Sequence, residues 1–102
     1  MMLLTKELRK KLPPLYSTDG NPNAKCIVKF FALDSNWTWY AFEFDGEDTF
    51  FGFVEGYERE WGYFSLRELQ SLKWHGVPRV ERDKFYVSQT KAELGQFTGA
   101  QV

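Results

Sequence analysis

The stretch WTWYAFEFDGEDTFFGFV, residues 37–54, constrains this chain more than any other part of it. Two runs rich in aromatic and β-branched residues, types that fit a pleated and half-buried surface, flank the turn seed Asp45-Gly46. Strands over residues 37–44 and 49–54 are therefore predicted to pair as an antiparallel hairpin through the turn at 45–48. Strict alternation sends Trp37, Trp39, Ala41 and Glu43 to one side of the first strand and Thr38, Tyr40, Phe42 and Phe44 to the other. Both sides carry rings, which predicts an interior strand covered on both faces. Gly52, in the middle of the return strand, marks a bulge or a close backbone contact.

The rest of the chain is read outward from this hairpin. Thr5 is an N-cap for a short first helix, with Leu4, Leu8 and Leu12 on one face and Pro13-Pro14 as its stop. Residues 17–23 read as a loop, because Asp19-Gly20 and Asn21-Pro22 are turn signals. Residues 25–33 form a further strand, closed by a turn at Asp34-Ser35-Asn36. After Glu55-Gly56, residues 57–64 read as a loop with a short strand at Gly62–Phe64. Ser65 and Glu68 have capping-box spacing, followed by Leu66, Leu69 and Leu72, which predicts a second helix. Residues 75–87 contain turn residues and then one or two short strands. Thr90 and Glu93 repeat the capping-box spacing for a final helix reaching Leu94, and residues 95–102 read as frayed. The order predicts an α+β fold, a small, mostly antiparallel β-sheet with short helices packed against it.

With 102 residues the chain is expected to be a single domain over 1–102. An aromatic share of 19% supplies the area that a core this small needs. Cys26 is the sole cysteine, so no intrachain disulfide can staple the fold, and a reducing compartment is favoured. The opening MMLLTKELRKK reaches charge too soon for a signal peptide, and no run approaches the roughly 20 apolar residues of a membrane span. A cytoplasmic location is the expectation, with no membrane contact.

Charge is unevenly spread. Residues 43–60 hold seven acidic groups against Arg59 alone, between two mildly basic flanks. Asp45, Glu47 and Asp48 fall in the hairpin turn, and Glu55, Glu58 and Glu60 lie beyond the return strand beside Trp61. These seven residues are the candidate partner-binding set. They read either as a solvated rim or as a docking surface for a protein with a basic surface. At roughly 3.4 Å per residue the turn acids lie up to about 20 Å from those beyond the return strand, so the set need not form one site. No metal site is expected, since DGED lacks the twelve-residue spacing of a calcium loop and no acid pairs with a histidine at ligand spacing. His75, the lone histidine, is placed at a helix end with no nucleophile motif beside it. Cys26, inside an apolar strand, reads as a small buried hydrophobe. No cofactor is expected, because Gly46, Gly52, Gly56 and Gly62 do not form a phosphate-cradling loop before a helix.

Trp37, Trp39, Tyr40, Trp61, Tyr63 and Trp74 are many large rings for a small core; they read first as structural packing, with protein-contact anchoring or nucleic-acid stacking as the alternatives for any that reach the surface. Two alternatives stand beside protein binding. One is a nucleic-acid-associated factor using the N-terminal Lys/Arg cluster with Arg79, Arg82 and Lys84, although rings beside an acidic segment do not make a positive stacking groove. The other is a metal-dependent hydrolase built on Glu58, Glu60, Glu81 and Asp83, which requires those carboxylates to converge. An unprotected edge of a small open sheet also leaves room for a homodimer.

The opening LLTKELRKKLPPLY, the run from Trp37 to Leu72 and the later VERDKFY together resemble the DUF2958 family over roughly residues 3–87. The resemblance is carried by Trp39-Tyr40, Phe51-Gly52, Gly56, Glu60-Trp61-Gly62-Tyr63, the GYFSLREL stretch at 62–69 and Glu81-Arg82-Asp83. It implies a setting in bacterial plasmids, phages and other mobile elements, but no catalytic residues. A non-enzymatic protein-binding accessory module, such as an inhibitor of a host defence system, is the expectation.

Overall fold

The computed structural model describes residues 2–98. Helix α1 spans Lys6–Lys11, and the Thr5 hydroxyl accepts the Leu8 N–H at 3.2 Å. The helix ends at Leu12, where the two prolines forbid continuation. Strands β1 (Val28–Ala32), β2 (Thr38–Phe44), β3 (Thr49–Glu55) and β4 (Arg59–Ser65) follow in sequence. Helix α2 (Leu66–Ser71), the two-residue strands β5 (Lys73–Trp74) and β6 (Val77–Pro78), strand β7 (Val80–Arg82) and helix α3 (Lys91–Thr98) complete the chain. The main sheet has the order β4-β3-β2-β1-β7, and every pairing in it is antiparallel. The α+β expectation holds, with β2 interior as predicted.

Residues that face each other across neighbouring strands share a side of the sheet. One side carries Val28, Phe30, Trp39, Ala41, Phe44, Phe50 and Val80, covered by Leu3, Leu4 and Leu12 around α1 and by Leu66 and Leu69 of α2. The other side carries Tyr40, Phe42 and Phe53, covered by Cys26, Tyr86 and Leu94 from the chain before β1 and after β7. Burying Phe30, Phe42, Phe50 and Phe53 completely contributes about 2–3 kcal/mol each before entropy is counted.

Three sequence expectations are corrected. The register between β2 and β3 slips between Ala41 and Glu43, so a bulge sits at Phe42. It turns Glu43 toward the Tyr40 and Phe42 side and returns Phe44 to the side of Trp39, which strict alternation had reversed. Gly52 lies opposite this irregularity: a Cβ there would sit 1.7 Å from the Tyr40 carbonyl oxygen. The expected close contact is real, and the bulge belongs to the facing strand. Second, residues 59–65 form a full strand instead of a loop with a short strand, because β3 supplies a ladder along its whole length. Third, α3 continues to Thr98, so residues 95–98 are helical; the predicted fraying of 99–102 lies outside the described residues.

Candidate functional site

The acidic candidates divide by what their carboxylates already do. One Asp45 oxygen accepts the backbone N–H of Glu47, Asp48 and Thr49 at 2.8–3.0 Å, which builds the hairpin turn. The Asp48 carboxylate accepts the Ser65 hydroxyl at 2.6 Å and the Arg67 N–H at 2.7 Å, which ties the turn to the start of α2. The Ser65 hydroxyl itself accepts the Glu68 N–H at 3.2 Å. Asp48 thus caps α2 from another element, and these hydrogen bonds hold both aspartates below the ordinary carboxylate range. Glu55 lies 3.8 Å from Arg59. Glu47, Glu58 and Glu60 carry no side-chain hydrogen bond or ion pair among the described residues.

Nor do the candidates converge. Asp45, Glu47 and Asp48 sit at one end of β3, and Glu55 and Glu58 sit at the other, about 20 Å away at the rise of an extended strand. Trp61 lies among Phe42, Phe51 and Phe53, with its indole N–H buried and unpartnered. Lys91, itself 4% exposed, sits over the rings of Phe51 and Trp61 and donates to the Thr18 carbonyl at 2.7 Å. Trp61 therefore belongs to the packing of this face.

The hydrolase carboxylates are also kept apart. Glu58 and Glu60 lie at β4 and Glu81 and Asp83 at β7, opposite edges of a five-stranded sheet, about 19 Å apart at normal strand spacing. Among the described residues no group of three His, Cys, Asp or Glu side chains could hold a metal ion. Burial pushes the Cys26 thiol up to about 12, so it stays a thiol at neutral pH. His75 is not at a helix end. It occupies the β5–β6 turn at φ 51°, followed by Gly76 at φ 78°.

An apolar concavity lies elsewhere, on the side of the sheet that carries α2. A cleft of about 230 Å³ is floored by Ala32, Trp37, Trp39 and Val80 and walled by Ser35, Leu72 and Arg79. Arg79 is fixed by a 2.7 Å bond to Asp34. Its backbone N–H reaches the Leu72 carbonyl at 2.9 Å, and its carbonyl accepts from Leu33 at 2.8 Å. These bonds anchor the small β5–β6 hairpin against β1. A second hollow of about 120 Å³ shares Arg79 and is lined by Leu33, Trp74, Val77 and Pro78. Around the two, Leu33 (52%), Trp74 (68%) and Val77 (59%) stand exposed. At the other side of the cleft the Trp37 ring lies over Gly56 and meets the fully exposed Tyr57 edge-on at 5.4 Å.

Of the six rings singled out in the sequence, Trp74 and Tyr63 reach the surface and Trp39 and Tyr40 do not. Sequence reasoning missed Leu33, Leu72 and Val77. The signal available was the symmetric KWHGVP stretch, a turn flanked on each side by an apolar residue in a segment too short to bury either.

The fold and this surface define a small α+β domain with an apolar cleft beside an exposed hairpin. No helix among the described residues is long and apolar enough to cross a membrane. The profile of a family described as a protein of unknown function, DUF2958, matches residues 3–100, and the chain belongs to that family. The match extends past residue 87, the limit of the resemblance read from the motifs, and takes in α3. No curated protein and no solved structure matches the chain.

Proposed function

We propose that this protein is a binding module that docks a protein partner through the apolar cleft and the β5–β6 hairpin. The observation that carries the reading is a pair of apolar hollows that share Arg79, one lined by Trp37 and Leu72 and the other by Leu33, Trp74 and Val77. Exposed apolar patches of this kind mark interaction surfaces, and tryptophan is enriched among residues that dominate binding. The anchoring bonds of Arg79 hold the surface in place before a partner arrives, which lowers the ordering cost of association. The partner's contact is an apolar side chain or helix face bordered by polar groups. The mobile-element setting implied by the family makes an inhibitor of a host defence protein the sharpest form of this reading.

Docking of a basic surface by acidic residues is the second reading, favoured by the carboxylates of Glu47, Glu58 and Glu60, which have no partner among the described residues. The two are separated by capture of partners from bacterial lysate with nuclease present. Trp74→Asp with Val77→Asp should abolish capture, and Glu47→Lys with Glu58→Lys should leave it intact. The reverse pattern would transfer the site to the acidic residues. Loss of capture in neither pair would reject both surfaces.

A further inference from the structure

Strand β4 is an edge of the main sheet, seven residues long, with no proline, lysine or bulge to protect it. Its hydrogen-bond parity follows from its two ends. Gly56 N–H donates to the Glu58 carbonyl at one end of the β3–β4 ladder, and Leu66 N–H donates to the Asp48 carbonyl at the other. Hydrogen-bonded pairs alternate in an antiparallel ladder. Glu60, Gly62 and Phe64 therefore turn their N–H and C=O groups to β3. Arg59, Trp61 and Tyr63 turn theirs outward, where no described residue meets them. A row of unpaired backbone groups on an exposed strand is a template for another strand.

We infer that this edge pairs with β4 of a second copy of the chain, antiparallel about a two-fold axis at Gly62, to make one continuous ten-stranded sheet. The strand is self-complementary in that register. Trp61 faces Tyr63 of the second copy on one side of the sheet, and the reciprocal pair forms at the same time, giving two aromatic cross-strand contacts. Gly62, around which a Cβ would find open space, lies on the axis where the two backbones approach most closely. Charge also matches. The antiparallel arrangement brings Glu58, which has no ion-pair partner among the described residues, toward Arg67 of the second copy, whose side chain is 79% exposed. No residue of β4 lines the cleft, so pairing at β4 leaves it open, and both clefts face the same side of the joined sheet.

The test is light scattering across a protein concentration series, combined with amide hydrogen exchange. The mass should rise from 12.0 kDa toward twice that value, and the Trp61 and Tyr63 amides should become slow to exchange over the same range. Tyr63→Pro removes an outward N–H that β3 does not use, and it should weaken the dimer about tenfold or more while circular dichroism stays unchanged. Should that variant fail to fold, the charge pair decides: Glu58→Arg and Arg67→Glu should each weaken the dimer, and the double variant should restore it. A constant mass of 12.0 kDa with fast exchange at both amides would overturn the inference. So would a dimer indifferent to all these variants, or a monomer whose edge amides are protected only by a segment of another protein.

Discussion

The carboxylate of Glu43, 1% exposed on the bulged strand β2, accepts the backbone N–H of Tyr16 at 2.7 Å. The same carboxylate accepts the Thr18 N–H at 2.9 Å and the Thr18 hydroxyl. Tyr16 adopts φ 70°, a left-handed conformation that a side chain rarely takes, so the pairing holds the chain in a shape it would otherwise avoid. Lys91 takes the Thr18 carbonyl from the other side. Two buried charged groups thus hold one surface segment down over the aromatic face.

Removing that acceptor leaves three donors short of partners. Glu43→Ala is expected to lower stability by about 3 kcal/mol, and Glu43→Gln by a smaller but measurable amount, because its amide nitrogen presents donors to donors. Urea unfolding of the two variants checks this. A loss under about 0.5 kcal/mol for the alanine variant would show that the segment is held by other means.

The contact between Gly52 and Tyr40 is a backbone constraint. Gly52→Ala should cost about 3 kcal/mol or prevent folding, since the added carbon meets a carbonyl in the neighbouring strand and not a movable side chain. Gly62→Ala, where the same carbon meets nothing within 4 Å, should stay within about 1 kcal/mol of the parent. Equal losses at both positions by thermal unfolding would contradict the register of β2 and β3.

Asp45 and Asp48 predict the acid limb of stability. Both folded-state values are lowered from an ordinary 3.8, chiefly by the Glu47 N–H for Asp45 and by the Ser65 hydroxyl for Asp48. A lowered value means that stabilisation is fully present above the ordinary value and is lost as pH falls through the folded one. Denaturation midpoints should therefore be flat with respect to these groups above pH 5 or so and should fall below about pH 4. Asp45→Asn with Asp48→Asn should flatten that fall. An unchanged acid limb in the double variant would remove both from the account.

Cys26 is completely buried, and its thiol donates to the carbonyls of Val28 and Ala41 at 3.3 and 3.5 Å. An aromatic disulfide reagent at pH 8 is expected to label the folded protein at least about a hundredfold more slowly than the urea-unfolded chain. Comparable rates would mean that the cover from Tyr86 and Leu94 opens readily.

Trp74 touches His75 at 4.3 Å between ring centroids, borders the hollow beside Val77 and leaves 68% of its surface exposed. Trp74→Ala should change stability by no more than about 0.5 kcal/mol. A large loss in differential scanning calorimetry would make the ring structural, and its exposure would then cease to support a docking role.

Local patterns in the sequence were enough for the elements whose cause is local. Thr5, Ser65 and Thr90 each cap a helix through their own hydroxyl, and Thr90 with Glu93 forms the full reciprocal box. Asp45-Gly46 turns the hairpin, with Gly46 at φ 90°, and alternation of rings placed β2 in the sheet interior. The family was legible for the same reason, since its motifs are these turns and strands. What the sequence could not supply depends on residues far apart in the chain. A bulge at Phe42 reverses the facing of Glu43 and Phe44 only because Gly52 pairs with Ala41 across the hairpin. Strand length alone already separated the turn acids from the acids beyond β3, but charge counts ignore hydrogen bonds and could not tell which carboxylates are free. Folding brings Asp48 to Ser65 and Glu43 to Thr18, and those carboxylates become structural. The cleft was hidden because Trp37, Leu72 and Arg79 come from separate elements, and only the antiparallel docking of β7 on β1 brings them together.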